Sequence, residues 1–364
     1  MATLFDDITM GHLTLPNRIA MAPLTRNRAD REGIPGPSAA TYYAQRASAA
    51  VIITEGSQPS AAGQGFVRTP GLHSTEQLRA WRTVTDAVHA ADGRIFAQIM
   101  HTGRIGHPDL VRHSSLPAGF VPLAPSAVRP TTGTAQTYDG PKEYTEPRAM
   151  TAAEVRTTIA DFATAAANAI AAGFDGVELH GANGCLLHQF LASGSNRRTD
   201  GYGGPVAGRI RFTREVTEAV ADAVGAERVG LRLSPGNRFN DIEESDTEEL
   251  YCALVESVRP LGLGYLHLYE TGSRDVTRVL RRAWPGVLML SPHVGGRAPA
   301  GLAEGEQALA DGVADVIAFG RNFIANPDLP ERLRTGAPLN TPDPSTFYDG
   351  DDRGYTDYPA LATV

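Results

Sequence analysis

From residue 150 onward, short apolar runs alternate with longer stretches whose apolar residues recur at helical spacing. The predicted order is helix Ala152 to Ala172, strand Phe174 to Leu179, helix Val206 to Val224, strand Val229 to Leu233 and helix Thr247 to Val258. Strand Tyr265 to Leu268, helix Asp275 to Ala283, strand Val287 to Leu290, a helix near Leu302 to Asp311 and strand Ala314 to Phe319 follow. An eighth helical segment holds Pro330 and Arg332 to Arg334. Three earlier strands, Ile19 to Met21, Ala50 to Thr54 and Arg94 to Ile99, are separated by helices over Ser38 to Ala49 and Thr75 to Ala91. The second of these helices has Ser74 and Gln77 in capping-box register.

Eight strands alternating with helices predict an α/β chain whose parallel sheet closes as a (β/α)8 TIM barrel. An open doubly wound sheet is the rival, weakened because no Gly-x-Gly-x-x-Gly follows the first strand. Residues 4 to 18 read as a β-hairpin with Met10-Gly11 at the turn, suited to closing the bottom of the barrel. A Pro-, Gly-, Ser- and Thr-rich insertion, about 104 to 150, follows the third strand; excursions of this length are usually functional caps. One domain over residues 1 to 364, with a tail from about 336, is the expected organisation.

Polar residues at the strand ends would share one face of such a barrel. They are Thr25, Gly56, Gln98 with His101, His180 with Asn183, Arg232, Glu270, the 293 to 296 segment, and Gly320-Arg321. Arg232 alternates with Leu231 and Leu233, so it points inward, where a lone cation costs several kcal/mol unless it meets an anion or an electron-rich ligand. The alternative is a salt bridge to an inward acid such as Glu178. Gly295-Gly296 and Gly320-Arg321, at the last two strand ends, have the makings of a phosphate site. An isolated His-x-x-Asn more often satisfies loop backbone than substrate, so His180 and Asn183 draw their weight from this company.

Composition narrows the classes. Hydrophobic residues at 42% and charged residues at 20% are globular values, and the net charge of −8 leaves no basic footprint for nucleic acid. Two cysteines without a Cys-x-x-Cys pair suggest neither a disulfide framework nor a metal centre, and fit a reducing cytoplasm. No leader-like or membrane-spanning apolar stretch is read, so no membrane partner is expected.

With these blocks in place, the chain resembles the Old Yellow Enzyme family of flavin-dependent ene reductases. The resemblance runs through Leu-Pro-Asn-Arg-Ile-Ala-Met-Ala-Pro-Leu-Thr-Arg (15–26), Gln-Ile-Met-His-Thr-Gly-Arg (98–104) and His-Gly-Ala-Asn-Gly-Cys-Leu-Leu-His-Gln-Phe-Leu (180–191). It continues in Ser-Asn-Arg-Arg-Thr-Asp-Gly-Tyr-Gly-Gly (195–204), Ala-Phe-Gly-Arg-Asn-Phe-Ile-Ala-Asn-Pro (318–327) and Gly-Tyr-Thr-Asp-Tyr-Pro (354–359).

The resemblance implies non-covalent FMN, with Pro23, Leu24, Thr25, Gly56 and Gln98 around the isoalloxazine and Arg232 near its N1 and O2. Gly320 and Arg321, with Gly295 or Gly296, would hold the phosphate. His180 and Asn183 would hydrogen-bond the carbonyl or nitro oxygen of an activated alkene while hydride passes from flavin to the β carbon. NAD(P)H would reduce the flavin first and leave, giving a ping-pong cycle without a dinucleotide domain.

Where the family usually has a proton-donating Tyr, this chain has Cys185, expected to line the pocket while solvent or another group supplies the proton. Phe66 and Met100 stand where many relatives have Tyr and Trp, with core packing as an equal alternative. Tyr348 is expected to reach back over the site with the tail, and His73, His188 and His293 to be structural. The expected activity is reduction of α,β-unsaturated carbonyl or nitro compounds by a monomer or homodimer. The alternatives are a flavin-dependent tailoring oxidoreductase or isomerase acting on one natural product, and a flavin-binding or phosphorylated-ligand-binding protein without catalysis.

Overall fold

Eight parallel strands close into a barrel in the computed structural model, which describes residues 2–110, 115–117, 119–292 and 301–362. They are β1 (Ile19–Met21), β2 (Ile52–Ile53), β3 (Ile95–Ile99), β4 (Gly176–Gly181), β5 (Val229–Leu233), β6 (Tyr265–Tyr269), β7 (Leu288–Ser291) and β8 (Val316–Phe319). Each pairs with its neighbours in chain order, and closure comes from β8 against β1. The open-sheet rival is excluded.

Strand alternation sorts the side chains. Val177, Leu179, Leu231, Leu233, Leu266 and Leu268 face outward into a cluster shared with the helices, running from Leu4 to Tyr355. The opposite parity points Glu178, His180, Arg232, Tyr265 and His267 into the barrel. Its floor is apolar: Met10 and Leu15 from the hairpin (Ile8–Met10 with Leu13–Leu15) pack under Ala20, Ile53, Phe96, Tyr265, Met289 and Val316. Two glycines make room for the rings, since a Cβ at Gly230 would lie 2.2 Å from the Tyr265 ring and one at Gly176 2.4 Å from that of Phe96. The expected plug is therefore present, with Gly11-His12 at the turn in place of Met10-Gly11.

Around the barrel lie α1 (Ala39–Ala44), α2 (Thr75–Ala90), α3 (Ala152–Ala171), α4 (Leu186–Leu191), α5 (Val206–Val224), α6 (Thr247–Val258), α7 (Asp275–Ala283), α8 (Leu302–Ala310), α9 (Arg321–Ala325) and α10 (Leu329–Thr335). The capping box predicted at Ser74 and Gln77 forms, and Thr151 with Glu154 makes a second at α3. Helix α1 stops well short of Ala49. Its extension is replaced by Arg46, which turns inward and donates to the carbonyls of Tyr42, Phe323 and Ile324.

The insertion contributes a hairpin (Ala135–Thr137 with Gly140–Lys142), and Leu123–Ala124 pairs with Arg148–Ala149. The tail returns to the end of β1. There Arg26 donates to the carbonyls of Phe347 and Gly354, Arg28 donates to those of Thr346, Asp351 and Arg353, and Tyr355 stacks on Tyr42 at 4.1 Å.

Candidate active site

The strand ends hold a polar layer above the apolar floor. Glu178 of β4 is fully buried. It accepts from Gln98 Nε2 at 2.7 Å, from Tyr265 Oη at 3.0 Å and from His267 Nδ1 at 2.7 Å, while His267 Nε2 meets Ser291 Oγ at 2.9 Å. Burial opposes its charge, but His267 and the other donors outweigh it and hold the carboxyl below its usual range. Because Gln98 spends its NH2 on this carboxylate, the amide oxygen is the end left to face the site.

Cross-strand register places His180 beside Arg232 and Arg232 beside His267. Strand β4 runs two residues past its expected end, so His180 belongs to the strand itself. Its start is delayed because Asp175 takes the Ile95 amide with its carboxylate and Phe174 packs outward on Trp81. Among the described residues no carboxylate lies within 4 Å of the Arg232 guanidinium, and its Nε has no hydrogen-bond partner although the side chain is 5% exposed. The alternative of a Glu178–Arg232 salt bridge is overturned, since Glu178 is taken up by Gln98, Tyr265 and His267. Arg232 instead sits 5.5 Å over the Tyr269 ring, and burial pulls its pKa down against the pull of Glu178.

His180 Nδ1 is likewise buried without a partner. Desolvation, helped by the Arg232 charge, lowers its pKa to about 3, so the ring is neutral at ordinary pH. Asn183 follows on the tight turn into α4, at φ +55°, a left-handed conformation that Asn tolerates better than most residues. The loop after β5 clamps it: its N–H donates to Ser234 Oγ at 2.9 Å, its carbonyl accepts from Asn240 Nδ2 at 2.8 Å, and its Oδ1 accepts from Asn237 Nδ2 at 2.8 Å.

Cys185 caps α4 and is 2% exposed; burial pushes its thiol up to about 12. It joins an apolar cluster with Met100, Ile105, Ala135 and Tyr144, against which Phe66 packs. Gly56 serves Met100 directly, because a Cβ there would lie 2.6 Å from the Met100 Cε. Gln98 is buried, and Pro23, Leu24 and Thr25 are half-buried where β1 ends. Gly320 caps α9, with room for a Cβ only 3.4 Å from Leu24; Arg321 opens that helix at the surface.

Gly295, Gly296 and His293 lie outside the described residues. Tyr348 is 65% exposed, on a stretch whose backbone is held by Arg26, which donates from Nε to the Phe347 carbonyl and accepts from the Asp349 amide at its own carbonyl. Glu270 is occupied by Arg274 and Thr277. His188 is structural as expected, accepting from the Gly184 amide and meeting Glu244 at 2.7 Å.

Sequence reasoning missed the Asn237–Asn183 contact, for which the only signal was two Asn residues in the loop after β5. It also missed Tyr144, which nothing in the irregular insertion singled out. The Glu178–His267–Tyr265 layer was legible in principle from inward parity.

The donor set fits FMN. A buried guanidinium and an amide oxygen, neither with a hydrogen-bond partner among the described residues, complement a flavin edge that alternates carbonyl, imide N–H and carbonyl. The chain matches the model of the NADH:flavin oxidoreductase / NADH oxidase family over residues 3–340. It is 40% identical over 362 residues to a probable flavin mononucleotide-dependent alkene reductase of Leishmania infantum, covering 97% of this chain and 96% of that one. It is 41% identical to 12-oxophytodienoate reductase 1 of Oryza sativa subsp. japonica, over 98% and 92% of the two chains. Among solved structures it is similar to morphinone reductase in complex with tetrahydroNAD, with TM-score 0.93, 42% identity and coverage of 100% and 98%. It is also similar to the Old Yellow Enzyme homologue of Zymomonas mobilis, with TM-score 0.93, 39% identity and coverage of 99% and 100%.

Proposed function

Since the chain belongs to the NADH:flavin oxidoreductase / NADH oxidase family, we propose that it is an FMN-dependent ene reductase. It uses NAD(P)H to reduce activated C=C bonds of α,β-unsaturated carbonyl or nitro compounds. The observation that carries the reading is the pairing of a neutral His180 and a clamped Asn183 beside the unpaired, buried Arg232. The proposal includes one working unit over residues 1–364, as monomer or homodimer, and a cytoplasmic location. For the latter, Cys185 and Cys252 are free thiols, and no helix among the described residues is long and apolar enough to cross a membrane.

When bound, FMN supplies the two-electron exchange between nicotinamide and alkene. Arg232 and Gln98 would hold its ring, with Thr25, Leu24, Pro23 and Gly56 as neighbours, and Gly320 and Arg321, with Gly295 or Gly296, its phosphate. His180 and Asn183 grip the substrate oxygen with one N–H each. These donors are set in place before charge builds on that oxygen, in a site from which most water is excluded, and one such donor is typically worth about 10²–10³ in rate. Phe66, Met100 and Cys185 form the apolar wall against the hydrocarbon part. Tyr348 at the surface is left with at most a place at the mouth.

Anaerobic stopped-flow absorbance tests the proposal: NADH or NADPH, then 2-cyclohexenone, is added to the purified protein. Bleaching of the oxidised flavin band by a nicotinamide and its recovery with enone are expected. A protein that stays colourless with added FMN overturns it, and bleaching without recovery redirects the substrate to a bulkier natural product.

A further inference from the structure

We infer that Asn237 is a positioning residue that sets which end of the Asn183 amide faces the substrate. The inference rests on the reading of His180 and Asn183 as substrate donors. The polarity is fixed from a group that cannot be reversed: the backbone N–H of Phe239 donates to Asn237 Oδ1 at 3.0 Å. That leaves Nδ2 as the other end of Asn237, and this donor points at Asn183 at 2.8 Å. A donor there demands the oxygen of Asn183, so the Asn183 NH2 is turned away from the loop. Among the described residues no group takes up that NH2. With the Asn183 N–H on Ser234 and its carbonyl on Asn240, the side-chain NH2 is its one uncommitted donor. The half-buried loop Asn is thus the second link of a three-membered chain, Phe239 N–H to Asn237 to Asn183, that presents a donor and not an acceptor to a carbonyl or nitro oxygen.

Asn237→Asp tests this with almost no change in shape. The carboxylate keeps the Phe239 bond but offers Asn183 an acceptor, so the Asn183 amide reverses and its oxygen confronts the substrate oxygen. Equilibrium titration of the oxidised, FMN-loaded protein with 2-cyclohexenone, without nicotinamide, reads binding apart from turnover. The expected result is a Kd raised roughly tenfold or more in Asn237→Asp and less in Asn237→Ala, with FMN retention and melting temperature kept. In an Asn183→Ala background the Asn237→Asp change is expected to have no further effect on Kd.

Wild-type affinity in both Asn237 variants overturns the inference. So do losses that simply add to that of Asn183→Ala, since a residue that merely shapes the loop would act regardless of Asn183. If Asn237→Asp fails to retain FMN, Asn237→Ala with the same cycle decides. A wild-type holoprotein that binds no activated alkene, bulky natural-product enones included, overturns the proposed function itself, and this inference with it.

Discussion

Burial decides the role of Cys185. A thiol pushed up to about 12 is a weaker acid than a free one, and its neighbours Met100, Ile105 and Ala135 offer it no polar partner. Tyr144, in the same cluster, is also raised by burial and by Cys185, so neither group is tuned towards proton donation. Cys185→Ala is therefore expected to keep 2-cyclohexenone turnover within about threefold of wild type, with flavin reduction by NAD(P)H unchanged. A positioned general acid contributes about 10²–10⁴, so a hundredfold loss in alkene reduction alone would show the thiol to be the donor.

The turn between β4 and α4 carries the element-scale argument. Gly184, at φ +76°, has the loop after β5 pressed on it: a Cβ there would lie 2.6 Å from Asn240 Cβ and 2.8 Å from the Phe239 carbonyl. Gly312, at φ +66°, has nothing within 4 Å. Gly312→Ala carries the backbone strain alone, whereas Gly184→Ala adds a clash with the loop that clamps Asn183. Urea denaturation is expected to place Gly184→Ala below Gly312→Ala by roughly 1–3 kcal/mol, with weaker enone binding in the former only. Equal losses would mean that the loop yields freely.

The same elements show what the sequence could and could not disclose. Period-based boundaries are reproduced for α5, α6, α7 and β5, because each is an uninterrupted pattern with its apolar face against one core. Inward parity of Arg232 followed from Leu231 and Leu233. Its lack of a carboxylate did not, because that depends on which strand neighbours capture Glu178. The clamp on Asn183 joins residues 54 and 57 positions apart, a distance at which pattern carries no signal. The exposure of Tyr348 carried no signal either, because its backbone neighbour Phe347 is held by Arg26, 321 positions away.

For the whole molecule, buried titratable groups set the response to acid, and three of them are shifted far. His101 and His180 have folded pKa values of about 4 and about 3, depressed by desolvation below the ordinary 6.5. The unfolded chain therefore takes up two protons below pH 6.5 that the fold refuses, and stability falls as pH drops. Glu55 acts oppositely: burial raises it to about 7, so between pH 7 and 4.5 the fold holds a proton that the unfolded chain does not. The net of these three between pH 6.5 and 4.5 is one proton, a loss of about 1.4 kcal/mol per pH unit. Below 4.5 the Glu55 compensation ends, and carboxylates held low, such as Glu178 and Glu244, add to the loss. Unfolding free energies are expected to fall at least this steeply from pH 6.5 to 4.5, because burial holds His267 low as well, and Glu55→Gln is expected to steepen the fall. A Glu55→Gln curve parallel to wild type would show that Glu55 is ionised throughout.

The docking of the tail on Arg26 and Arg28 has a consequence for the order of synthesis. The segment just after Thr25 leaves the ribosome long before the carbonyl of Gly354 that receives Arg26, which lies 328 residues further on. Two guanidiniums beside the first strand must wait without these carbonyls until residues 346–354 have emerged. The end of the first strand is thus completed only after residue 354 has been made, and a chain stopped before Thr346 would lack the carbonyls that close it.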